Sequence, residues 1–278
     1  MRPGDGAAAA VGFHGRERID AWPLADRGAA YGDGLFETMR AHEGHVPWWD
    51  AHWTRLEGGA RRLGFALPER CRVEAEAQEL LAGGGGVLKL VVTRGSGGRG
   101  YMPPADAEPS WALSRHALPA AAPTGGLVLR WCTLRLAVQP ALASIKHCNR
   151  LEQVLARGEW SDPAVHEGLL TDADDHLVCA TAANVFVLRD GRWQTPFVDR
   201  CGVAGVCRGW AIERLGAAEA RLSRADVEQA DAVFVCNAVR GILPVAQLGE
   251  RTWPPHPQVR ALRERLADEH PAFALELS

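Results

Sequence analysis

Apolar and polar positions along the chain fall into two rhythms. Trp53, Leu56, Ala60 and Leu63 recur three and four apart, the spacing of one face of a helix. Residues 87–93, VLKLVVT, form a short β-type run that closes on the glycine-rich loop 94–101, RGSGGRGY. Residues 128–136 read as a further strand. Asn149, followed three residues later by Glu152, carries a capping-box pattern and predicts a helix over 150–157. Residues 185–188 and 193–195 flank Arg189-Asp190-Gly191-Arg192, whose Asp-Gly centre predicts a hairpin. Residues 202–207, GVAGVC, lead into an amphipathic segment over 208–215, so free backbone N–H groups are expected at a helix start. Between the halves, residues 117–126, ALPAAAPTGG, have no periodicity and look like an interdomain connection. The pattern predicts an α/β (α+β) chain without internal repeats: a small N-terminal α/β domain over 1–118, a linker over 119–126 and a C-terminal domain over 127–278.

Composition narrows the function classes. With 278 residues and 47% apolar content the chain can bury a proper core. A formal net charge of −3, with arginines interspersed among acids, leaves no basic stripe for nucleic acid. The opening Met1-Arg2-Pro3-Gly4-Asp5-Gly6 is too short and polar for a secretory signal, and no apolar run reaches membrane-spanning length, so a cytoplasmic protein without a membrane partner is expected. Seven cysteines without a Cys-x-x-Cys pair indicate reduced thiols, with neither a disulfide framework nor a metal site.

Charge composition also points to chemistry. Of 31 Lys and Arg residues only Lys89 and Lys146 are lysine. A coding bias toward arginine would leave such remnants. An amine retained for its chemistry would too, because lysine can lose its proton and attack a carbonyl while arginine stays charged. Lys146, just before a predicted helix, is the candidate for that role. His52 and Arg55 share one helical face opposite the apolar stripe, read either as a solvated face or as an anion contact through Arg55. The Gly205-Val206-Cys207 helix entrance suits an anion equally as well as an ordinary turn. The loop 94–101 lacks the ending of a nucleotide-binding P-loop, so its arginines are candidates for carboxylates or simply part of a surface hairpin. Residues 31–40, YGDGLFETMR, make a tight glycine turn that feeds a strand.

Taken together, Asp26-Arg27-Gly28, Tyr31-Gly32-Asp33-Gly34-Leu35-Phe36-Glu37-Thr38, His52-x-x-Arg55-Leu56, the run from Ile145-Lys146-His147-Cys148-Asn149 through Leu155, and Ala183-Asn184-Val185-Phe186 resemble the class IV, pyridoxal-phosphate-dependent aminotransferase-fold enzymes over about residues 20–247. The Lys146 block, the loop 94–101 and Cys236-Asn237-Ala238 most resemble the aminodeoxychorismate lyases among them.

The resemblance implies a fold-type IV homodimer, with a β-barrel-like core in its larger C-terminal domain and pyridoxal 5'-phosphate as cofactor. It implies that Lys146 forms the Schiff base and then acts as base, and that Arg55 and the Val206 and Cys207 amides bind the phosphate. Thr38 would relay a proton, and Tyr31, Arg99, Tyr101, Asn149 and Asn237 would lie near substrate or cofactor. The implied activity is elimination of pyruvate from 4-amino-4-deoxychorismate to give 4-aminobenzoate. Lys89 reads as an ordinary strand residue. One position departs from the pattern: where the family usually has a glutamate for the cofactor's pyridine nitrogen stands Cys179, unless Glu167 or Asp172 fills that role. A neutral thiol is a weak partner for the nitrogen and is expected to favour elimination over transamination. A D-amino-acid or branched-chain aminotransferase, or a catalytically impaired cofactor-binding protein, are the alternative expectations.

Overall fold

The computed structural model describes residues 9–276. The polar opening at Met1–Gly6, expected not to be a secretory signal, lies outside the described residues. Contacts divide the chain into two units. One holds the chain through Leu118 together with Lys146–Asn149, and the other holds Pro119–Ile145 and the chain from Arg150 onward.

The first unit runs β1 (Ala9–His14), β2 (Glu17–Ile19), α1 (Arg27–Tyr31), β3 (Gly34–Ala41), α2 (Trp49–Leu63), α3 (Arg70–Leu81), β4 (Gly86–Thr93) and β5 (Ser110–His116). Its strands make an antiparallel sheet in the order β2-β1-β5-β4-β3. The helical spacing read from Trp53, Leu56 and Ala60 is that of α2, which packs on β3 and buries all three. Alternation along β3 sends Leu35, Glu37 and Met39 to one face and Phe36, Thr38 and Arg40 to the other. Lys146–Asn149, expected in the C-terminal domain, groups with this unit because its backbone extends the edge of β3. Phe36 donates to the Lys146 carbonyl at 3.0 Å and Cys148 donates to the Gly34 carbonyl at 2.9 Å.

The second unit runs β6 (Leu127–Leu136), α4 (Leu151–Arg157), β7 (Glu167–Asp172), β8 (Leu177–Ala180), β9 (Asn184–Arg189), β10 (Arg192–Pro196), α5 (Val206–Leu215), β11 (Ala218–Ala220), α6 (Arg224–Glu228), β12 (Ala232–Asn237), β13 (Gly241–Leu248), β14 (Arg251–Thr252) and α7 (Pro257–Glu269). Its sheet is mixed, in the order β11-β10-β9-β12-β13-β6-β7-β8, with β14 on β13. It curls so that β8 packs near β9 and β10. The concave interior is apolar, built from Leu129, Leu169, Val185, Val187, Val233, Val235, Leu243 and Val245. The fold is of the expected fold-type IV class.

Local expectations met different fates. Asp190 and Gly191 form the hairpin turn between β9 and β10 with φ of 49° and 70°, the left-handed pair that an Asp-Gly centre tolerates. The capping box before α4 does not form. Arg150 is the N-cap without a side-chain bond, because the Asn149 amide donates to the Gly32 carbonyl at 3.0 Å and the Glu152 carboxylate accepts from the Ala137 N–H at 2.7 Å. Both side chains found non-local partners.

Candidate active site

In the first unit, the edge pairing sets Lys146 beside Phe36, and the Lys146 Nζ lies 4.3 Å from the centre of the Phe36 ring. The lysine is half-buried. Thr38, two residues along the same face of β3, pairs in register with Lys89 of β4, whose Nζ lies 5.6 Å from the same ring. Directly opposed residues of an antiparallel pair share a face. Both lysines of the chain therefore converge on one phenyl ring beside one threonine hydroxyl. Lys89 is the strand residue its run predicts, and the strand's register adds the nearness to Phe36. Its signal was its place in the phase of the 87–93 run, but the partner across the sheet could not be read locally.

The other face of β3 carries Glu37 toward α2. Arg55 donates to it through Nε at 2.8 Å and through Nη2, and His52 Nδ1 lies 2.6 Å from Oε2. The solvated-face reading of His52 and Arg55 is thus wrong, because His52 is buried and the Arg55 side chain retains only 12% exposure. Burial by itself would raise the Glu37 carboxyl, but the Arg55 charge and the bonds from His52 and Arg55 outweigh it and hold it down to about 2. Glu37 is ionised, so His52 donates through Nδ1. Burial pushes the His52 pKa below its ordinary value, and Glu37 only partly offsets this.

The glycine turn is fixed by charge. Asp33 receives the guanidinium of Arg94 at 2.8 and 3.2 Å and that of Arg27 at 2.9 Å. Arg27 also donates to the carbonyls of Gly100 and Tyr101, and the Gly100 N–H reaches the Tyr31 hydroxyl at 3.3 Å. The Tyr31 and Tyr101 rings lie 5.5 Å apart. Tyr31, Arg99 and Tyr101 thus cluster at one loop, with the Arg99 and Tyr101 side chains exposed and Asn149 bonded to the adjoining Gly32. Arg94 is structural.

In the second unit, α5 begins at Val206, two residues ahead of the predicted start. Its N-cap Gly205 contributes no side chain. The N–H groups of the first turn, Val206 and Cys207 among them, have no acceptor within the helix by construction. The approach is pinned: Asn184 donates to the Val203 carbonyl at 2.9 Å, and Ser144 bonds to Gly202 and Ala204 at 3.0 Å each. A Cβ on Gly205 would lie 2.0 Å from Asn184 Oδ1, so any larger residue there has to displace the Asn184 amide.

A family model described as "Amino-transferase class IV" matches residues 34–248. The chain belongs to the class IV aminotransferase family. The aminodeoxychorismate lyase of Vibrio harveyi is 34% identical over 233 residues, covering 81% of this chain and 86% of the relative. The crystal structure of 4-amino-4-deoxychorismate lyase from Pseudomonas aeruginosa matches with a TM-score of 0.88 and 41% identity, over 93% of this chain and 99% of that one. The branched-chain aminotransferase of the archaeon Thermoproteus uzoniensis, solved with norvaline, shares the fold, with a TM-score of 0.81 at 17% identity over 95% of this chain and 97% of that one.

In this class IV aminotransferase-family chain, Cys179 on β8 is buried among Leu136, Trp160, Leu170 and Val178. Burial, reinforced by nearby Cys201 and Glu167, pushes its thiol up to about 12, so it is neutral at physiological pH. Glu167 and Asp172, the two acids that could stand in for the missing glutamate, both accept bonds from nearby backbone. Glu167 accepts from the N–H groups of Gly168, Thr181 and Ala182 and from the Thr181 hydroxyl. Asp172 accepts from the N–H groups of Asp174 and His176 in the β7–β8 turn. Asn237 donates to the Ala182 carbonyl at 3.2 Å and accepts from Val239 and Arg240, so both ends of its amide shape backbone.

Proposed function

We propose that the protein is a pyridoxal-phosphate-dependent carbon–oxygen lyase that eliminates pyruvate from 4-amino-4-deoxychorismate to give 4-aminobenzoate, and that it works as a cytoplasmic homodimer. The observation that carries this reading is the half-buried Lys146 amine against Phe36, on the sheet face that also bears Thr38 and Lys89. Kinship to the two lyases supports the substrate.

The residues present fit the cofactor. A nucleophilic amine stands against an aromatic ring, a guanidinium is held by a buried carboxylate, and a helix entrance has a glycine set against the Asn184 amide. Arg55 and the Val206 and Cys207 amides would take the phosphate, and Lys146 would carry the cofactor covalently. When bound, the cofactor supplies an electron sink for the carbon that carries the substrate's amine.

The chain's own groups do the rest. The Lys146 amine takes the proton from the amine-bearing ring carbon, and the electrons left behind expel the enolpyruvyl oxygen as its bond to the ring breaks. The Thr38 hydroxyl relays a proton to that leaving group, which departs as pyruvate while the ring becomes aromatic. Lys89, opposite Thr38, supplies a second cation for a substrate carboxylate, and Arg99 supplies another, flanked by Tyr31, Tyr101 and Asn149. Asn237 acts by holding the turn and the Ala182 carbonyl. The neutral Cys179 offers the cofactor's ring nitrogen no carboxylate, which favours expulsion of a leaving group over reversible amine transfer.

The dimer reading is supported by α4, which leaves Leu151, Val154 and Leu155 exposed at 75, 62 and 63% on one helical stripe. The lyase is separated from an aminotransferase by exposing the cofactor-loaded protein to D-alanine and to branched-chain amino acids. Little or no conversion of the bound cofactor to its pyridoxamine form is expected. Rapid, stoichiometric conversion would replace the lyase with the aminotransferase.

A further inference from the structure

We infer that Asn184 is a positioning residue for the α5 anion cradle, holding the amides of Val206 and Cys207 in register for a phosphate ester. This rests on the reading that the α5 entrance takes the cofactor's phosphate.

Asn184 opens β9 and is buried in the second unit. Its two amide ends work on the same short stretch of backbone. Nδ2 donates to the Val203 carbonyl at 2.9 Å, three residues before α5, and Oδ1 occupies the space where a side chain at Gly205 would begin. Val203 also bridges Ser144, so the loop is clamped between the Asn184 amide on one side and the Ser144 backbone on the other. Gly205 has φ −66° and ψ 141°, an extended conformation open to any residue. The glycine is therefore required by Asn184 and not by backbone strain, and residue 205 and Asn184 fit each other as a matched pair.

A helix entrance without a side-chain cap leaves its first amides to whatever anion arrives, and they bind well only if they already point at it. Without the Asn184 bond, the Val203 carbonyl loses its partner and residues 203–205 gain freedom at the point where the cradle begins. The expected loss is about tenfold in affinity, the equivalent of one hydrogen bond. It should fall on phosphate-bearing ligands alone, since Asn184 itself is not proposed to touch the ligand.

The test titrates the full-length chain, freed of cofactor, with pyridoxal 5'-phosphate and with unphosphorylated pyridoxal, following tryptophan fluorescence. Asn184→Ala should weaken the phosphorylated ligand about tenfold and leave pyridoxal unchanged. Gly205→Ala, whose backbone accepts alanine, should do the same by displacing the Asn184 amide. The double variant should be no worse than Asn184→Ala alone, because the new methyl group then has room. Equal weakening of both ligands in these variants, or additive losses in the double variant, would overturn the inference and leave Asn184 as a general fold contact. Val206→Pro tests the underlying reading separately. It deletes one cradle amide at the first helical position, which proline tolerates, after a residue already in the extended conformation that proline requires. If Val206→Pro keeps the wild-type preference for the phosphorylated ligand, the cradle reading itself fails. If that preference falls while Asn184→Ala keeps it, only the Asn184 inference fails.

Discussion

Replacing Glu37 by glutamine is the sharpest probe of the first unit, because the carboxylate is buried and its partners are all identified. Its pKa is held down from 4.5 to about 2. At about 1.36 kcal/mol per unit this is worth roughly 3 kcal/mol of native-state stability at neutral pH. The figure agrees with the cost of breaking a buried ion pair, about 3–5 kcal/mol, reduced where the surviving partner can rehydrate, as Arg55 can. The sign follows from the depressed pKa: the stabilisation is fully present above 4.5 and is lost as pH falls toward 2. By pH 3 about half of it should remain. His52, whose pKa is also depressed, acts in the same direction, since the unfolded chain takes up that proton first as pH falls below 6.5. The assay is urea unfolding of wild type and Glu37→Gln at pH 7, 5 and 3. Taking the difference between the two cancels the other carboxylates that titrate in the same range. A difference near 3 kcal/mol at pH 7 that shrinks by about half at pH 3 is expected. Equal stability at pH 7, or a difference that does not change with pH, would refute an ionised Glu37 as the anchor of Arg55.

Borohydride reduction of the cofactor-loaded protein followed by peptide mapping should put the phosphopyridoxyl mass on Lys146, and the same mass on Lys89 would reverse the roles of the two lysines. Leu155→Glu, which places a charge in the exposed stripe of α4, should shift sedimentation from dimer toward monomer without lowering the melting temperature. A dimer of undiminished affinity would move the interface elsewhere. Cys179→Glu should raise the ratio of transaminase to lyase turnover, and an unchanged ratio would remove residue 179 from the electronics of the site. The same variant should lower stability by about 1–3 kcal/mol, since the carboxyl enters the apolar surroundings of Trp160 and Leu170.

The parts of this fold legible in the sequence are those dictated by local physics. Asp190-Gly191 announces its hairpin because few other residues accept two consecutive left-handed φ values. The α2 stripe is legible because helical spacing alone buries Trp53, Leu56 and Ala60. What was hidden depends on partners far along the chain. His52 and Arg55 look solvated until Glu37, 15 and 18 residues away, turns out to lie beneath them. Asn149 reads as a cap until Gly32, 117 residues away, claims its amide. Lys89 is an odd cation in an apolar run until the register of β3 on β4 sets it opposite Thr38. The rarity of lysine draws attention to both residues, but only pairing with β3 brings the two amines to one ring.

The most direct measurement incubates the cofactor-loaded protein, beside a Lys146→Ala variant, with enzymatically generated 4-amino-4-deoxychorismate and quantifies 4-aminobenzoate and pyruvate. Equimolar release of both products that disappears in the variant is the expected result. No release above the variant's background, with cofactor still bound, would contradict the lyase.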